Sequence, residues 1–312
     1  MIETDAQESD RQESDRWIRY FARRGYPGAR RLASGMEGTV YRLRDGTVAK
    51  VWAGRTLEDF GLTRRLYADI AAHPLPFGTP RILDAEECDG VLVSYERELG
   101  GRPLRTDGDG EPPARDLPRR ETDALLTVLR GLASVPGSEA MRRLVIQGDD
   151  RPLWQGHARF SDALAALVER AAGRHREALA AQVPGLADVV SRTAASLRAL
   201  PDRADTVIHG DLVPPNIHVD ETGQPVAVLD FGFCTTAGDP AFEAAVTAAV
   251  WDMYGPDAAH HTAELSRLFA RELGHAEEVL ALYRRAYALI TYDLFGMGPH
   301  DGHFRWCAAL LR

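Results

Sequence analysis

Asp211, Asn216 and Asp230 are the side chains best suited to do chemistry, and all three lie in one run, VIHGDLVPPNIHVDETGQPVAVLDFG, residues 207–232. An Asn carbonyl oxygen and a carboxylate presented together are hard oxygen ligands of the kind that suit Mg²⁺. Asp211 precedes Asn216 by five positions in the same loop, close enough to point into the same space. What must position them is a hairpin: IHV, DETGQP and VAVLD read as strand, turn and strand, with Gly223 and Pro225 in the turn. In such a hairpin the residue before the first strand lies beside the residue after the second. Asn216 and Asp230 are therefore expected to be neighbours.

The rest of the chain divides into two kinds of pattern. Residues 1–14 are polar and acidic, with few apolar side chains, and predict a disordered tail. Residues 15–99 form short apolar runs punctuated by turns, the Asp45-Gly46 pair among them, around one amphipathic helix carrying Leu57, Phe60, Leu62, Leu66 and Ile70. After the Gly- and Pro-rich stretch GGRPLRTDGDGEPPARDLP, residues 100–312 show helical recurrence almost throughout, as in ETDALLTVLRGLASV and EEVLALYRRAYALITYDLF. The expectation is a small sheet-rich lobe followed by a larger helical one, with a cleft between them.

The order His209-Gly-Asp211, then Asn216 five positions on, then Asp230-Phe-Gly232 fits the phosphoryl-transfer template HRDxxxxN followed by DFG. With Gly210 at the second position, HGDLVPPN and LDFG resemble the aminoglycoside phosphotransferase family of small-molecule kinases, and GDPAFE at 238–243 resembles that family's GDP signature. The resemblance implies an α+β, bilobal protein-kinase-like fold, with a small antiparallel-sheet N-lobe and a larger, mainly helical C-lobe. It also implies transfer of the γ-phosphate of ATP to a hydroxyl of a small molecule. Asp211 would orient that hydroxyl, Asn216 and Asp230 would hold Mg²⁺, and His209 would have a structural part.

The same resemblance puts the nucleotide in the first lobe. Ser34, Gly35 and Gly38 in LASGMEGTVYRL let backbone N–H groups approach phosphate oxygens. Lys50 in VAKVW has apolar strand neighbours on both sides, where an unpaired ammonium would be costly, so it should meet phosphates or a carboxylate. The family expects a helix Glu to pair with that lysine. The helix after Lys50 offers Glu58, the first choice for its reach, or Asp69, and the assignment stays open to either of them or neither. The strand VLVSYEREL should bring backbone groups of Glu96, Arg97, Glu98 and Leu99 against the adenine edge.

Composition narrows the function further. A net charge of −9 argues against nonspecific nucleic-acid binding and is compatible with a cationic substrate. Cys88, Cys234 and Cys307 lie far apart, without metal or disulfide spacing, and read as free thiols in a reducing compartment. The N-terminus lacks the basic and apolar regions of a secretory signal, and no apolar run is long enough to span a membrane, so the expected location is the cytoplasm. The acids Asp239, Glu243, Asp252, Asp257, Asp293 and Asp301 are candidates to line a pocket for a polycation, and Trp251, Tyr254, Tyr292, Phe295 and Trp306 to stack on a ring. Acceptors in the family resembled range from antibiotics to choline, homoserine and sugars. An antibiotic acceptor, in resistance or self-protection, is the first expectation. A kinase of a primary metabolite, a nucleotide-binding pseudokinase and a metal-dependent hydrolase are the alternatives.

Overall fold

The computed structural model describes residues 2–35, 37–44, 46–105, 115–296, 298 and 300–312, so the Asp45 half of the Asp45-Gly46 turn and residues 106–114 of the Gly- and Pro-rich stretch lie outside the described residues. The chain forms two compact units, one of residues 1–71 and 79–100 and the other of residues 72–78 and 101–312.

In the first unit, helix α1 (Ile2–Arg23) precedes strands β1 (Arg30–Gly35), β2 (Gly38–Arg44) and β3 (Thr47–Trp52), helix α2 (Leu57–Ala71), and strands β4 (Ile82–Cys88) and β5 (Val91–Arg97). The strands make one antiparallel sheet in the order β1-β2-β3-β5-β4, with β3 paired to both β2 and β5. Each face of the sheet is covered by a helix. Trp17 and Phe21, one helical turn apart on α1, are buried with Tyr41, Leu43, Ala49, Val51 and Val93. On the other face Trp52 and Leu92 pack against Phe60 of α2. Where the sequence predicts a disordered tail over residues 1–14, the backbone is helical from Ile2, continuous with the turn that Trp17 and Phe21 anchor.

The second unit contains strand β6 (Arg102–Pro103) and helices α3 (Arg119–Ala133), α4 (Glu139–Arg142), α5 (Phe160–Arg174), α6 (Arg176–Ala180) and α7 (Leu186–Arg198). Strand β7 (Thr206–Ile208), a 3₁₀ turn (Pro214–Asn216) and strands β8 (Ile217–Val219), β9 (Pro225–Val228) and β10 (Thr236–Gly238) follow. Helices α8 (Pro240–Val250), α9 (Ala258–Leu273), α10 (Glu277–Thr291) and α11 (Gly302–Leu311) complete it. Helix α8 is buried along nearly its whole length because Ala and Val recur on every side of it, and it packs on α9 and α10. Two small sheets, β7 with β10 and β6-β8-β9, stand out from this helical body. No helix among the described residues is long and apolar enough to cross a membrane.

Candidate active site

The loop that carries Asp211 leaves β7 at Ile208, which is paired with Thr236 of β10. His209 comes next and is fully buried. Its Nε2 lies 2.7 Å from the Leu229 carbonyl oxygen, and its Nδ1 accepts from the Asp211 amide at 3.2 Å. Only a neutral ring with its proton on Nε2 can do both. Burial brings the imidazole pKa down to about 4, which favours that form. Gly210 has φ +77°, and a Cβ placed there would lie 2.5 Å from the Cβ of Cys234. The backbone thus demands glycine at the position where protein kinases carry arginine.

Glu243, one turn into α8, holds the same loop from beneath. Its Oε2 accepts from the backbone amides of His209 and of Gly210, the latter at 3.1 Å. Burial, opposed by those amides, pushes its carboxyl up to about 7. Helix α8 is aimed by Asp239, which caps it through the Ala241 amide at 2.9 Å and accepts from the Tyr283 hydroxyl at 2.9 Å.

The expected hairpin is β8 and β9, with Ile217 opposite Val228. The Leu229 amide donates to the Asn216 carbonyl at 2.9 Å, so Asn216 and Asp230 flank the open end of the hairpin. The Asn216 side-chain amide donates to the Asp211 carbonyl at 2.9 Å, which turns its Oδ1 the other way. Asp230 adopts φ +62°, a strained conformation for a residue with a side chain, and such strain gathers at functional positions. One amide oxygen and one carboxylate fit a cation that takes its other ligands from phosphate and water, as Mg²⁺ does. They do not form an all-protein cage: among the described residues no three His, Cys, Asp or Glu side chains converge as a metal site.

In the first unit, Ser34 faces Thr39 and Gly35 faces Gly38, so all three predicted loop residues border the β1–β2 turn. Lys50 meets a carboxylate of the β1–β2 turn. Its Nζ lies 2.6 Å from Glu37 Oε2, in the turn itself. Of the two acids the sequence offers, the Glu58 side chain lies outside the described residues, and Asp69 sits on the last turn of α2. Glu37 was missed because the pairing comes from strand register: β2 antiparallel to β3 returns the turn to the end of β3 that carries Lys50. In the segment meant for adenine, Glu96 is buried and accepts from Ser94 at 2.6 Å. The Arg97 and Glu98 amides donate to the Arg81 and Gly46 carbonyls. Leu99 follows them, with no acceptor for its amide among the described residues.

Five of the six candidate pocket acids have internal work. Asp239 and Glu243 are accounted for above, and Asp252 pairs with buried His261 at 2.7 Å. Asp293 binds Arg174 Nε at 2.7 Å, and Asp301 caps α11 through the Phe304 amide. Of the aromatic candidates, Trp251 and Tyr292 are core residues, while Tyr254 and Phe295 are exposed. Phe295 stacks on Phe233, just after the Asp230-Phe-Gly232 segment, with ring centroids 5.8 Å apart.

Comparison with solved structures places the fold. An aminoglycoside phosphotransferase from Streptomyces rimosus superposes with a TM-score of 0.56 at 18% identity, over 88% of this chain and 97% of that one. A macrolide 2'-phosphotransferase from Brachybacterium faecium does so with a TM-score of 0.59 at 20% identity, over 96% and 98%. The S. rimosus enzyme in complex with ADP and streptomycin gives 0.53 at 18% identity, over 88% and 97%. Likeness at these identities is likeness of fold, the α+β kinase-like arrangement of a sheet-bearing N-terminal part and a helical C-terminal part. No curated protein sequence gives a significant match. The model of the phosphotransferase enzyme family matches residues 28–289, and the chain belongs to that family.

Proposed function

We propose that this phosphotransferase moves the γ-phosphoryl group of ATP to a hydroxyl of a small molecule of antibiotic type. The observation that carries the reading is the fixed loop from His209 to Asn216, in which Glu243 holds the His209 and Gly210 amides while neutral His209 and the Asn216 amide hold the Asp211 backbone. In the reaction a bond forms between the acceptor oxygen and γ-phosphorus, the β–γ bridging bond breaks, and ADP leaves. Asp211 accepts the hydrogen bond of the acceptor hydroxyl and aligns it. An ordinary carboxylate is far too weak a base to remove an alcohol proton early, so transfer comes late in the step. Asn216 and Asp230 hold Mg²⁺, which when bound offsets the charge of the phosphates. Lys50 takes the α and β phosphates beside Ser34, Gly35 and Gly38. The adenine edge runs along Glu96, Arg97, Glu98 and Leu99, with the Leu99 amide as donor.

The acceptor reading follows from what the acids are doing. With Asp239, Glu243, Asp252, Asp293 and Asp301 engaged inside the unit, little remains to bind a polycation. Exposed Tyr254 and Phe295 favour an acceptor with an apolar face, nearer to a macrolide than to an aminoglycoside. The Tyr254 ring is exposed but its hydroxyl is part-buried against His303, and that partial burial first, then the charges of Cys307, Asp301 and Asp211, raise its phenol to about 12. Unpaired, buried Cys234 and Cys307 support a reducing, cytoplasmic setting.

The test is ADP release from Mg²⁺-ATP across aminoglycosides, macrolides, choline, homoserine and sugars. Release stimulated by a macrolide and lost in Asp211→Asn, with nucleotide binding retained, is the expected result. Comparable turnover in Asp211→Asn would sink the assignment.

A further inference from the structure

The hydroxyl of Tyr254 lies 3.1 Å from Nδ1 of His303, which sits in the first turn of α11. The other ring nitrogen, Nε2, is 3.0 Å from the Thr291 carbonyl oxygen and 3.2 Å from Thr291 Oγ1. A carbonyl can only accept, and the Thr291 hydroxyl gives its own hydrogen to the Tyr287 carbonyl at 2.9 Å. Nε2 therefore carries the proton of the His303 ring. Burial lowers the imidazole pKa against the opposing pull of the Thr291 carbonyl and Asp301, so the ring is neutral and Nδ1 is bare. The bond between the two side chains then runs one way, from the Tyr254 hydroxyl to Nδ1.

Each partner is held independently. Asp301 caps α11 through the Phe304 amide at 2.7 Å, and a Cβ on Gly296 would lie 2.7 Å from Asp301 Oδ2, so the turn before His303 is tightly packed. Gly255 closes the turn that carries Tyr254: its amide donates to the Asp252 carbonyl at 3.0 Å, and a Cβ there would collide with the Asp252 carboxylate. The pair is also joined to the active-site hairpin. The His303 ring meets Phe295 edge-on at 4.8 Å, and Phe295 stacks on Phe233, three residues after Asp230. The charge of Asp211 reaches the Tyr254 phenol as well.

With its hydrogen engaged by His303, the exposed Tyr254 offers an incoming molecule lone pairs alone. An ionised Asp211 likewise only accepts. We propose that Tyr254 is a specificity-determining residue of the acceptor site, reading a second O–H or N–H donor beside the hydroxyl that Asp211 receives, and that His303 positions it for this. A ligand that presents an ether or carbonyl oxygen there sets lone pair against lone pair and is disfavoured. The inference rests on the acceptor role proposed above for Tyr254. It narrows the acceptor to an apolar-faced molecule with two neighbouring donors, as in a diol or an amino alcohol.

The test compares the parent protein with Tyr254→Phe, His303→Asn and His303→Leu on whichever compound of the panel it phosphorylates, and on derivatives in which one O–H or N–H neighbouring the reacting hydroxyl is replaced by hydrogen. The parent should prefer the complete compound to one derivative by about tenfold in kcat/KM, and Tyr254→Phe should reduce that preference to less than about threefold, mainly through KM. His303→Asn keeps an acceptor near the place of Nδ1 and should keep most of the preference, whereas His303→Leu releases the hydroxyl and should lose it. NMR of the histidine ring nitrogens in the parent should show His303 protonated at Nε2 alone, a readout that does not depend on the folding of any variant. Equal preference in the parent and Tyr254→Phe, efficient turnover of choline, which has no second donor, or a His303 ring protonated at Nδ1 would overturn the inference and leave phosphoryl transfer standing. If no compound of the panel is phosphorylated, the function proposed above fails, and this inference with it.

Discussion

Gly210 is where the active-site loop has least freedom, since its φ of +77° and the adjoining Cys234 both exclude a side chain. Gly210→Ala should destabilise the chain by roughly 2 kcal/mol or more and lower turnover further than that loss explains, because the Asp211 amide is bonded to His209 across the same turn. Denaturant titration beside steady-state rates would separate the two effects. Glu243 gives the loop a pH signature. Its folded carboxyl lies near 7, above an ordinary 4.5, so its contribution to stability is full below about 4.5 and is lost as pH rises through about 7. His209, lowered to about 4, acts in the other sense: its contribution is present above 6.5 and is lost as pH falls through about 4. Glu243→Gln keeps an acceptor for the two amides and removes the titration. Its melting temperature should therefore fall less between pH 5 and pH 8 than that of the parent, and an identical fall in both would refute the assignment. That Asn216 lies beside Asp211 and across the hairpin's open end from Asp230 was legible in the sequence, because local spacing and one hairpin set both neighbours. Glu37 and Glu243 were not, because their partners are set by strand register and by the packing of α8, and in a linear reading each is an ordinary acid near a turn.

At the level of elements, alternation and turn residues identified the antiparallel sheet, and helical recurrence identified α2, α3, α5 and α7–α10 but singled out no run for α11. Helix α1 was the harder case. Its first fourteen residues are polar, and its sheet-facing contact is concentrated in Trp17 and Phe21 near its end, too few apolar positions to set a period. Those two residues nevertheless pack α1 onto Tyr41, Leu43, Ala49, Val51 and Val93 of the sheet that carries Lys50. Trp17→Ala should cost about 3–5 kcal/mol, the usual loss for a buried large aromatic. Chemical denaturation monitored by tryptophan fluorescence would measure it, and a loss below about 1 kcal/mol would mean that α1 is not part of the folded core.

Over the whole molecule the net charge of −9 invites the idea of a cationic acceptor, yet charge and recognition are different quantities. The acids that could have formed a polycation pocket are consumed in capping α8 and α11, in pairing with Arg174 and His261, and in holding the loop at His209. A polycation bound by exposed carboxylates would lose affinity steeply as salt shortens the screening length from roughly 14 Å at 0.05 M to about 4 Å at 0.5 M. An acceptor held by Tyr254, Phe295 and one hydrogen bond to Asp211 would not, since apolar contact is insensitive to screening and is strengthened by excluded salts. For whichever compound of the panel is phosphorylated, the acceptor KM should change by less than about threefold over that range, with the nucleotide saturating. A KM that climbs tenfold or more would mean that free carboxylates do the binding, and would return the aminoglycosides to first place among the acceptors.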